Sequence, residues 1–373
     1  MILIVDTVRR AGEHLQLNTT VVENLIQHDR EVVFLTSSDY WKSFPKPLRE
    51  KMLFESTVPL PSGLISTLRT LLLLVKIILF RRSYSHIIFL SSITYNSFFI
   101  SIFSYLRLIK PKVFVFLHEV SYIESRQKSA RLAGYFLKIA LSIGLKKQGK
   151  FLIVGEYIKC ELERRVKFNK KSTVFIEHPS SNTQYHQSQK LTKLIKFAAV
   201  GVQCDEKNSY KIESIADHNR DLVDSGALKL STIGRLDYSY NGGVPVNHIG
   251  LKYDNYLIPI DDYTRFILDQ HYLLFFLGKE YDLKTSGTIL QAMECKKPII
   301  ALSCNLINFY FEKFGNIGHV YSCMDDMKKG IATLCINFDL ELYNNQIYNL
   351  TKAKERLDKT FFCQFQQLLV NKG

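Results

Sequence analysis

The stretch of residues 272–302, YLLFFLGKEYDLKTSGTILQAMECKKPIIAL, decides the fold class of this chain. Its apolar opening, YLLFFL, is short enough to be a buried strand, and the polar loop of residues 278–285 follows it. Ser286 and Gly287 then lead into an apolar-periodic segment that predicts a helix, and the apolar residues 299–302 predict the next strand. A strand, a helix and another strand in this order indicate a parallel α/β sheet.

The same stretch predicts an anion-binding site at the start of its helix. The backbone N–H groups of a first helical turn have no intrahelical partner, and the helix dipole adds positive potential at that end. Ser286 and Gly287 mark this turn, and Lys279 and Lys284 in the preceding loop would add full positive charges. A nucleotide diphosphate suits such a place. The alternative is an ordinary strand–loop–helix unit that binds nothing.

Length, composition and charge point to two folded domains with an anionic partner. The chain has 373 residues, of which 46% are hydrophobic, so it can fill two cores. Its 49 Lys and Arg against 35 Asp and Glu give a net charge of +14. This excess favours nucleic acid, anionic lipid or a phosphorylated substrate as partner, or else a basic surface without specific meaning. Nucleic acid is the weakest of these, because zinc-finger spacing and a basic low-complexity arm are absent from the sequence.

Cysteine and histidine spacing predicts a reduced, metal-free protein. The 7 cysteines are scattered without a CxxC pair, which is typical of thiols in a cytosolic protein rather than of a disulfide framework. The histidines show no HExxH spacing, so we expect no metal site. The first residues, MILIVD, predict a strand rather than a signal peptide, because no basic segment precedes them.

The most apolar segment, residues 64–80, has two interpretations. It carries Arg69 and Lys76 and is at the short limit for spanning a bilayer, so a spanning helix is not expected. A helix buried in its domain is the first interpretation. The second is an interfacial helix that dips into a membrane, with Arg81 and Arg82 on lipid phosphates.

The order of apolar and polar segments predicts where the domains divide. Residues 180–190, SSNTQYHQSQK, lack an apolar period and form the best candidate linker. We therefore expect an N-terminal domain over residues 1–182 and a C-terminal domain over residues 191–354. Residues 343–369 are expected to be helical with a break near Lys359, and the C-terminal helix of about residues 355–373 is expected to pack back on the N-terminal domain.

Strands separated by helices in both halves predict two Rossmann-like, doubly wound α/β domains that face each other across a cleft. Ligands of open α/β sheets bind at the carboxyl ends of the strands. The residues of chemical interest all follow a predicted strand: Gly12, His118, Glu119, His178, Gly201, Ser286 and Gly287.

The C-terminal half resembles the GT-B glycosyltransferases, in particular the phosphorylase-like group of bacterial surface polysaccharide synthesis. Gly201 at a strand end, six residues before Lys207, is similar to the glycine and loop lysine that hold the donor diphosphate in that family. Many members also carry an arginine in this loop, and this chain has Gln203 there. The resemblance places Lys279 and Tyr281 on the donor side, where Tyr281 would stack on the base or cover the sheet edge.

The donor-site helix of the family is similar to the segment that begins with Ser286 and Gly287 and continues through Gln291. The best-known form of this motif has two glutamates eight residues apart. Leu283 and Gln291 occupy those places here, so the chain resembles a Ser-Gly variant of the motif. Ser286, Gly287 and Gln291 are thereby implied to bind the donor nucleotide.

The N-terminal half supplies the implied acceptor side and the candidate catalytic groups. Gly12 and Glu13 resemble the first loop of the family, and His118 resembles its strand-end histidine near the donor sugar. Glu13, His118 and Glu119 are the candidates for a base that takes the acceptor proton. Each has an alternative: His118 as a structural hydrogen-bonding group, Glu119 pointing away from it, and Glu13 supporting the first helical turn through the dipole.

The resemblance implies a metal-independent glycosyltransferase of the hexosyltransferase type. It would move a sugar from a nucleotide-diphosphate-sugar, its co-substrate, to an acceptor hydroxyl, expected on a lipid-linked oligosaccharide of O-antigen, lipopolysaccharide or capsule synthesis. We expect no other cofactor and no nucleic-acid partner, and a peripheral place on the inner face of the cytoplasmic membrane. The sequence does not decide whether the anomeric configuration of the transferred sugar is retained or inverted. The alternatives are a sugar-nucleotide epimerase of the same architecture and a catalytically silent GT-B-like scaffold in a polysaccharide assembly complex.

Overall fold

The structure is a computed structural model, and it describes residues 1–6, 14–27, 30–57, 71–77, 84–91, 94–118, 120–125, 127–146, 149–179, 193–237, 247–249 and 260–370. The chain divides into two compact units. The first comprises Met1–Ser181, Leu283–Thr285 and Leu357–Gly373, and the second comprises Asn182–Asp282 and Ser286–Arg356.

The first unit is built on a seven-stranded parallel sheet of order β3-β2-β1-β4-β5-β6-β7. Its strands are β1 (Ile2–Asp6), β2 (Val32–Thr36), β3 (Leu53–Ser56), β4 (His86–Phe89), β5 (Lys112–Leu117), β6 (Lys150–Val154) and β7 (Thr173–Ile176). Every residue of β1 and β2 is buried, as expected for central strands covered on both faces. The strand order reverses between β1 and β4, and such a switch point is where open α/β sheets bind ligands.

The helices of the first unit connect these strands. They are α1 (Leu15–Gln27), α2 (Ser38–Ser43), α3 (Lys46–Arg49), α4 (Thr94–Tyr105), α5 (Lys128–Ile143) and α6 (Tyr157–Arg165), with a 3₁₀ helix at Ser121–Glu124. The side chain of Ser37 caps α2 by accepting a hydrogen bond from the backbone N–H of Tyr40 at 3.3 Å. Residues 71–77 are also helical, with Leu74 and Ile77 buried and Leu72 exposed.

The second unit is built on a six-stranded parallel sheet of order β10-β9-β8-β11-β12-β13. Its strands are β8 (Ile195–Val200), β9 (Leu228–Ile233), β10 (His248–Ile249), β11 (Tyr272–Phe275), β12 (Ile299–Leu302) and β13 (Gly318–Tyr321). Its switch point lies between β8 and β11. Two doubly wound parallel sheets with flanking helices confirm the predicted fold class.

The helices that follow in the chain are α7 (Lys211–His218), α8 (Arg220–Asp224), α9 (Ile260–Leu268), α10 (Gly287–Glu294), α11 (Asn305–Phe314), α12 (Met324–Ile336) and α13 (Leu340–Val370), with 3₁₀ helices at Asp205–Lys207 and Lys279–Tyr281. The sequence predicts one helix over residues 210–222, and the structure divides it into α7 and α8. The division lies at Asn219, where the side-chain Nδ2 donates to the carbonyl oxygen of Ile215 at 3.0 Å.

The C-terminal helix α13 is continuous over 31 residues, so the predicted break near Lys359 is wrong. The segment contains no proline or glycine, and Leu357, Phe361 and Phe365 recur every fourth residue on its buried face. Its last part, from Leu357 onward, belongs to the first unit. There Phe361 and Phe365 are fully buried in the core, and the Phe365 ring lies 6.0 Å from that of Phe116.

A short segment departs from the continuous C-terminal domain expected over residues 191–354. Leu283–Thr285 groups with the first unit. The carbonyl oxygen of Leu283 accepts a hydrogen bond from the backbone N–H of Val120 at 3.1 Å, which accounts for this grouping. The expected linker, residues 180–190, lies outside the described residues. Within the described part of the chain, no helix combines the length and apolar character needed to cross a membrane.

Candidate functional site

The strand-end glycine of the second unit is required by close packing. Gly201 follows β8 with φ of 93°, a left-handed conformation that glycine adopts without strain. A side-chain Cβ at this position would lie 2.9 Å from Nζ of Lys207 and 2.7 Å from Cγ2 of Thr288. The absence of a side chain therefore lets the lysine and the first turn of α10 converge on the end of β8.

Lys207 is held at the switch point by the loop that carries it. It ends the 3₁₀ helix Asp205–Lys207, and the next residue, Asn208, adopts the left-handed conformation with φ of 51°. The Asn208 side chain donates to the carbonyl oxygen of Phe276, just beyond β11, at 3.0 Å. This hydrogen bond ties the loop after β8 to the neighbouring strand across the switch point.

The ammonium group of Lys207 has no compensating negative charge among the described residues. It lines a small recess with Gln203, Ser209, Phe276 and Thr288, and it makes neither an ion pair nor a hydrogen bond within the described ranges. Burial disfavours its charged form and lowers the pKa of Lys207 below its ordinary value of 10.5. A half-buried cation in this state gains from any anion that enters the recess.

The first turn of α10 presents backbone donors beside this lysine. Ser286 is the N-cap residue, but its hydroxyl is hydrogen-bonded to Oγ1 of Thr288 at 3.0 Å and does not cap a backbone N–H group. Gly287 is exposed, and nothing lies within 4 Å of the place where its Cβ would be. Among the hydrogen bonds of the described residues, the N–H group of Ile289 donates to the carbonyl oxygen of Ser286 at 3.2 Å, so the N–H groups of Gly287 and Thr288 are the ones left available to a ligand.

Gln291 is held by a tyrosine that sequence reasoning missed. The hydroxyl of Tyr263, on α9, donates to Oε1 of Gln291 at 3.1 Å. Tyr263 is half-buried, and desolvation raises its pKa well above the usual value, so the hydroxyl stays protonated. With Oε1 engaged, the amide N–H₂ of Gln291 is the part left to meet a ligand. No motif marks Tyr263, which lies 28 residues from Gln291 in the sequence.

The remaining donor-side candidates lie in different surroundings. Lys279 is exposed on the 3₁₀ helix Lys279–Tyr281, whereas Tyr281 is buried, which favours its packing role over stacking on a base. Gln203 is also buried, and its Nε2 donates to the carbonyl oxygen of Gly201 at 3.0 Å. Gln203 therefore fixes the end of β8 and supplies no charge. The sequence predicts that Glu294 lies on a solvated face of its helix, but the structure buries it.

In the first unit, His118 follows β5 and is buried. Its Nε2–H donates to the carbonyl oxygen of Leu90, after β4, at 2.6 Å, and this bond fixes the orientation of the ring. The ring of His14 lies against it at a centroid distance of 4.3 Å. His14 immediately precedes α1 with φ of 51°, an uncommon conformation for a non-glycine residue. The sequence interpretation did not single it out.

A buried carboxylate lies at the same edge of this sheet. Oδ2 of Asp6, the last residue of β1, accepts hydrogen bonds from Nδ2 of Asn18 at 2.8 Å and from the hydroxyl of Ser91 at 3.1 Å. Nδ2 of Asn18 also lies 2.6 Å from the hydroxyl of Tyr40. The network joins β1, the first turn of α1 and the loop after β4, so it fixes the backbone that carries His14. Sequence reasoning missed it as well.

Three predicted site residues, Gly12, Glu13 and Glu119, lie outside the described residues. His178 is half-buried, and desolvation lowers its pKa to about 4, so its ring is neutral at physiological pH. It is paired with the carbonyl oxygen of Pro179 at 2.8 Å, which indicates a structural role. Within the described ranges, His, Cys, Asp and Glu side chains form no group of three that could hold a metal ion.

Comparison with known proteins gives the fold its family context. No protein-family model and no curated protein matches this chain. Among solved structures it is similar to WaaG, a glycosyltransferase involved in lipopolysaccharide biosynthesis, with a TM-score of 0.67 and 11% identity over 100% of both chains. It is also similar to Anabaena HepE in complex with UDP and glucose, with a TM-score of 0.63 and 12% identity over 99% of this chain and 97% of that one. It is also similar to the lipopolysaccharide outer core galactosyltransferase WaaB, with a TM-score of 0.60 and 14% identity over 100% of this chain and 99% of that one. At these identities the likeness concerns the fold, and this chain has the GT-B fold of glycosyltransferases.

Proposed function

We propose that this protein is a glycosyltransferase that takes a nucleotide-diphosphate-sugar donor in its second unit and an acceptor in its first. One observation carries the proposal: the ammonium of Lys207 lies beside Gly201 and the first turn of α10 with no counter-charge among the described residues. A diphosphate would supply that charge and accept hydrogen bonds from the N–H groups of α10. HepE, of the same fold, was solved with UDP and glucose.

The chemistry follows from where charge develops. An acceptor hydroxyl oxygen bonds to the anomeric carbon of the donor, the bond from that carbon to the diphosphate oxygen breaks, and the nucleotide diphosphate leaves with the electron pair. Lys207 and the α10 amides stabilise the growing negative charge on the leaving group. The acceptor proton goes to a base, for which His118, Glu13 and Glu119 are the candidates.

The proposal extends to the class of acceptor and the place of action. Support comes from the net charge of +14, from the likeness to WaaG, which is involved in lipopolysaccharide biosynthesis, and from the likeness to WaaB, a lipopolysaccharide outer core galactosyltransferase. On this basis the acceptor is a lipid-linked saccharide of surface polysaccharide synthesis, and the transferred group is a hexose. The enzyme then works as a peripheral protein at the inner face of the cytoplasmic membrane.

The test measures nucleotide binding and sugar transfer with Lys207→Ala. Calorimetry with UDP, GDP and ADP and turnover of the matching sugar donors would be compared with the parent. Loss of one charged hydrogen-bond donor is expected to raise the activation free energy of sugar transfer by about 2–4 kcal/mol. Lys229→Ala, an exposed lysine of β9 in the same unit, is the matched control and should behave as the parent. Nucleotide affinity and turnover unchanged by Lys207→Ala would refute the proposed site. Binding without transfer or hydrolysis would favour the silent scaffold.

Metal independence belongs to the same proposal. Lys207 and the N-terminal turn of α10 would supply the positive potential that a divalent ion supplies in other transferases. We therefore expect transfer rates to be unchanged when EDTA is added to the purified enzyme. A loss of activity that Mg²⁺ or Mn²⁺ restores would contradict this expectation.

A further inference from the structure

The helix α4 carries its aromatic residues on the outside. Its buried positions are mostly small and polar: Thr94, Asn96, Ser97, Ile100, Ser101 and Ser104. Its larger residues, among them Phe98, Phe99, Phe103 and Tyr105, are partly or largely exposed, and none of its 12 residues is charged. A helix on the surface of a water-soluble domain normally shows the opposite arrangement.

The inward serines are explained by hydrogen bonds to the neighbouring helix. The hydroxyl of Ser101 donates to the carbonyl oxygen of Ala140 on α5 at 3.2 Å, and that of Ser104 accepts from the backbone N–H of Lys146 at 2.7 Å. These bonds satisfy the small polar groups and hold α4 against α5. The aromatic residues of α4 are thereby left on the outer side.

The outer side of α5 continues this apolar surface. The ring of Phe136 lies 4.8 Å from Phe98 of α4, so the two helices share one aromatic layer. Leu132 and Tyr135 are 52% and 60% exposed beside it, and Tyr105 at the end of α4 is 59% exposed. We name this surface the aromatic face, formed by Phe98, Phe99, Phe103 and Tyr105 of α4 with Leu132 and Tyr135 of α5.

The charged residues of α4 and α5 all have one sign. The sequence of α4 and α5 contains no Asp or Glu, and α5 contributes Lys128, Arg131 and Lys138. Arg107 lies just beyond α4, and the ammonium of Lys146 lies 5.3 Å above the ring of Tyr105. Of the acidic residues nearest in sequence, Glu124 pairs with Arg165 at 2.6 Å.

We propose that the aromatic face docks on an anionic lipid bilayer. Tyrosine and other aromatic rings favour the headgroup level of a membrane, where an apolar body and a polar tip are both accommodated. The basic side chains around them attract anionic headgroups, each by an amount that falls with salt. A second copy of this chain would bring an equally basic surface to the same place, and like charges would oppose that contact.

The inference deepens the proposed function and rests on it in one respect, because a lipid-linked acceptor requires the first unit to work at a membrane. It assigns the docking to α4 and α5, whereas residues 64–80, with Arg81 and Arg82, were the membrane segment expected from sequence. Of that segment only residues 71–77 are described, and Arg81 and Arg82 lie outside the described residues. Charge reversal at these two arginines would show whether they add to the binding.

The experiment measures sedimentation of the full chain with vesicles of phosphatidylethanolamine and phosphatidylglycerol, and with vesicles of phosphatidylcholine, at low and high salt. Two double variants are compared with the parent: Leu132→Ser with Tyr135→Ser, and Lys128→Glu with Arg131→Glu. Each should lower partition onto the anionic vesicles at low salt by about tenfold or more. The loss caused by the charge variant should shrink in high salt, and that of the apolar variant should persist.

The matched control is Leu340→Ser with Tyr348→Ser on α13. These residues are 49% and 59% exposed, so the same side-chain types are removed at similar exposure elsewhere on the chain. This control should bind vesicles as the parent does. Melting temperatures check that all variants are folded. If the apolar variant melts early, the charge variant, whose substitutions are exposed, decides the question.

Three results would overturn the inference. The first is a parent protein that ignores anionic vesicles even at low salt. The second is an apolar or charge variant that binds them as well as the parent. The third is a parent that forms dimers in solution and loses them with Leu132→Ser and Tyr135→Ser, which would assign the face to a second copy. Nucleotide affinity, measured on the same samples, reports on the proposed function separately and is expected to be unchanged in every variant.

Discussion

At the scale of single residues, Lys207 combines a cost to folding with a benefit to binding. Its pKa is lowered by burial, so between this lowered value and the ordinary 10.5 the unfolded chain holds the proton more strongly than the folded one. Stability therefore rises as pH increases through that window, and below it the folded protein carries a cost for keeping Lys207 charged. An anion in the recess would offset this cost.

A substitution by methionine separates the two effects. Lys207→Met keeps the length of the side chain and removes the charge, so we expect a higher melting temperature at neutral pH together with loss of nucleotide-diphosphate affinity. Lys207→Arg is the companion variant, because a guanidinium stays charged over the whole range. In the parent, affinity measured by calorimetry should fall as pH rises through the lowered pKa of Lys207. The arginine variant should not show this fall in affinity. An equal fall in the parent and in the arginine variant would contradict the assignment.

The proposed base gives a second prediction at this scale. His118→Asn retains a side-chain N–H for the carbonyl oxygen of Leu90 but cannot take a proton, whereas His118→Ala loses both functions. If His118 is the base, both variants should lower kcat by about 10²–10⁴-fold, with nucleotide affinity unchanged because the proposed nucleotide site lies in the other unit. A His118→Asn enzyme with nearly the parent kcat would assign His118 a purely structural role.

The residues that sequence reasoning found and missed differ in how far apart their partners are. Gly201 and Lys207 are six residues apart at one strand end, so a local pattern was enough to pair them. Tyr263 and Gln291 are 28 residues apart, and Asp6 and Ser91 are 85 apart. Such pairs meet only because the folded domain brings strands and helices that are distant in sequence together, and no local periodicity encodes their contact.

At the scale of elements, α5 depends on a glycine inside the helix. Gly134 lies where the 3₁₀ helix Ser121–Glu124 packs on α5, and a Cβ there would clash with the carbonyl oxygen of Tyr122. Although alanine has the better helix propensity, Gly134→Ala is expected to lower the free energy of unfolding by about 1–3 kcal/mol. Ser142→Ala, exposed on the same helix, is the matched control and should change it by about 0.5 kcal/mol or less.

Fluorescence of Trp41 is the measurement for this prediction. The chain has a single tryptophan, and it lies in the first unit with its ring stacked on Phe54 at 4.8 Å. Its emission during urea unfolding therefore reports that unit alone. An unchanged midpoint for Gly134→Ala would show that the 3₁₀ helix can shift without cost.

Sequence patterns predicted long elements better than short ones. The buried strands β1, β5, β8 and β12 were recognisable because short apolar runs bounded by polar loops are typical of strands covered on both faces. The edge strand β3 and the short helices α2 and α3 were not predicted. The residues of β3 are mostly exposed, so a hydrophobic pattern could not mark them, and α3 has four residues. The predicted break in α13 did not take into account the four-residue spacing of its apolar face, which continues past Lys359.

At the scale of the whole molecule, the last helix contributes to the core of the first unit. Phe361→Ala should lower the stability of that unit by about 3–5 kcal/mol, because a fully buried ring is lost and a cavity is left. The neighbouring Phe362→Ala, at a half-buried position, should cost less. Trp41 fluorescence follows the first unit and circular dichroism follows both, so the Phe361 variant should show an early transition by fluorescence and a remaining later one by circular dichroism.

The position of α13 also has a consequence for the order of events on the ribosome. Domains usually fold as they emerge, with the N-terminal one first. Here the first unit contains strands made early, but Phe361 and Phe365 of its core are translated only after the whole second unit. The second unit can therefore complete its own core first. Until α13 is made, the sheet of the first unit keeps the apolar surface that Phe361 and Phe365 cover exposed. A chain that ended before Phe361 would leave that apolar surface permanently uncovered. Proteases and chaperones would then bind the exposed surface.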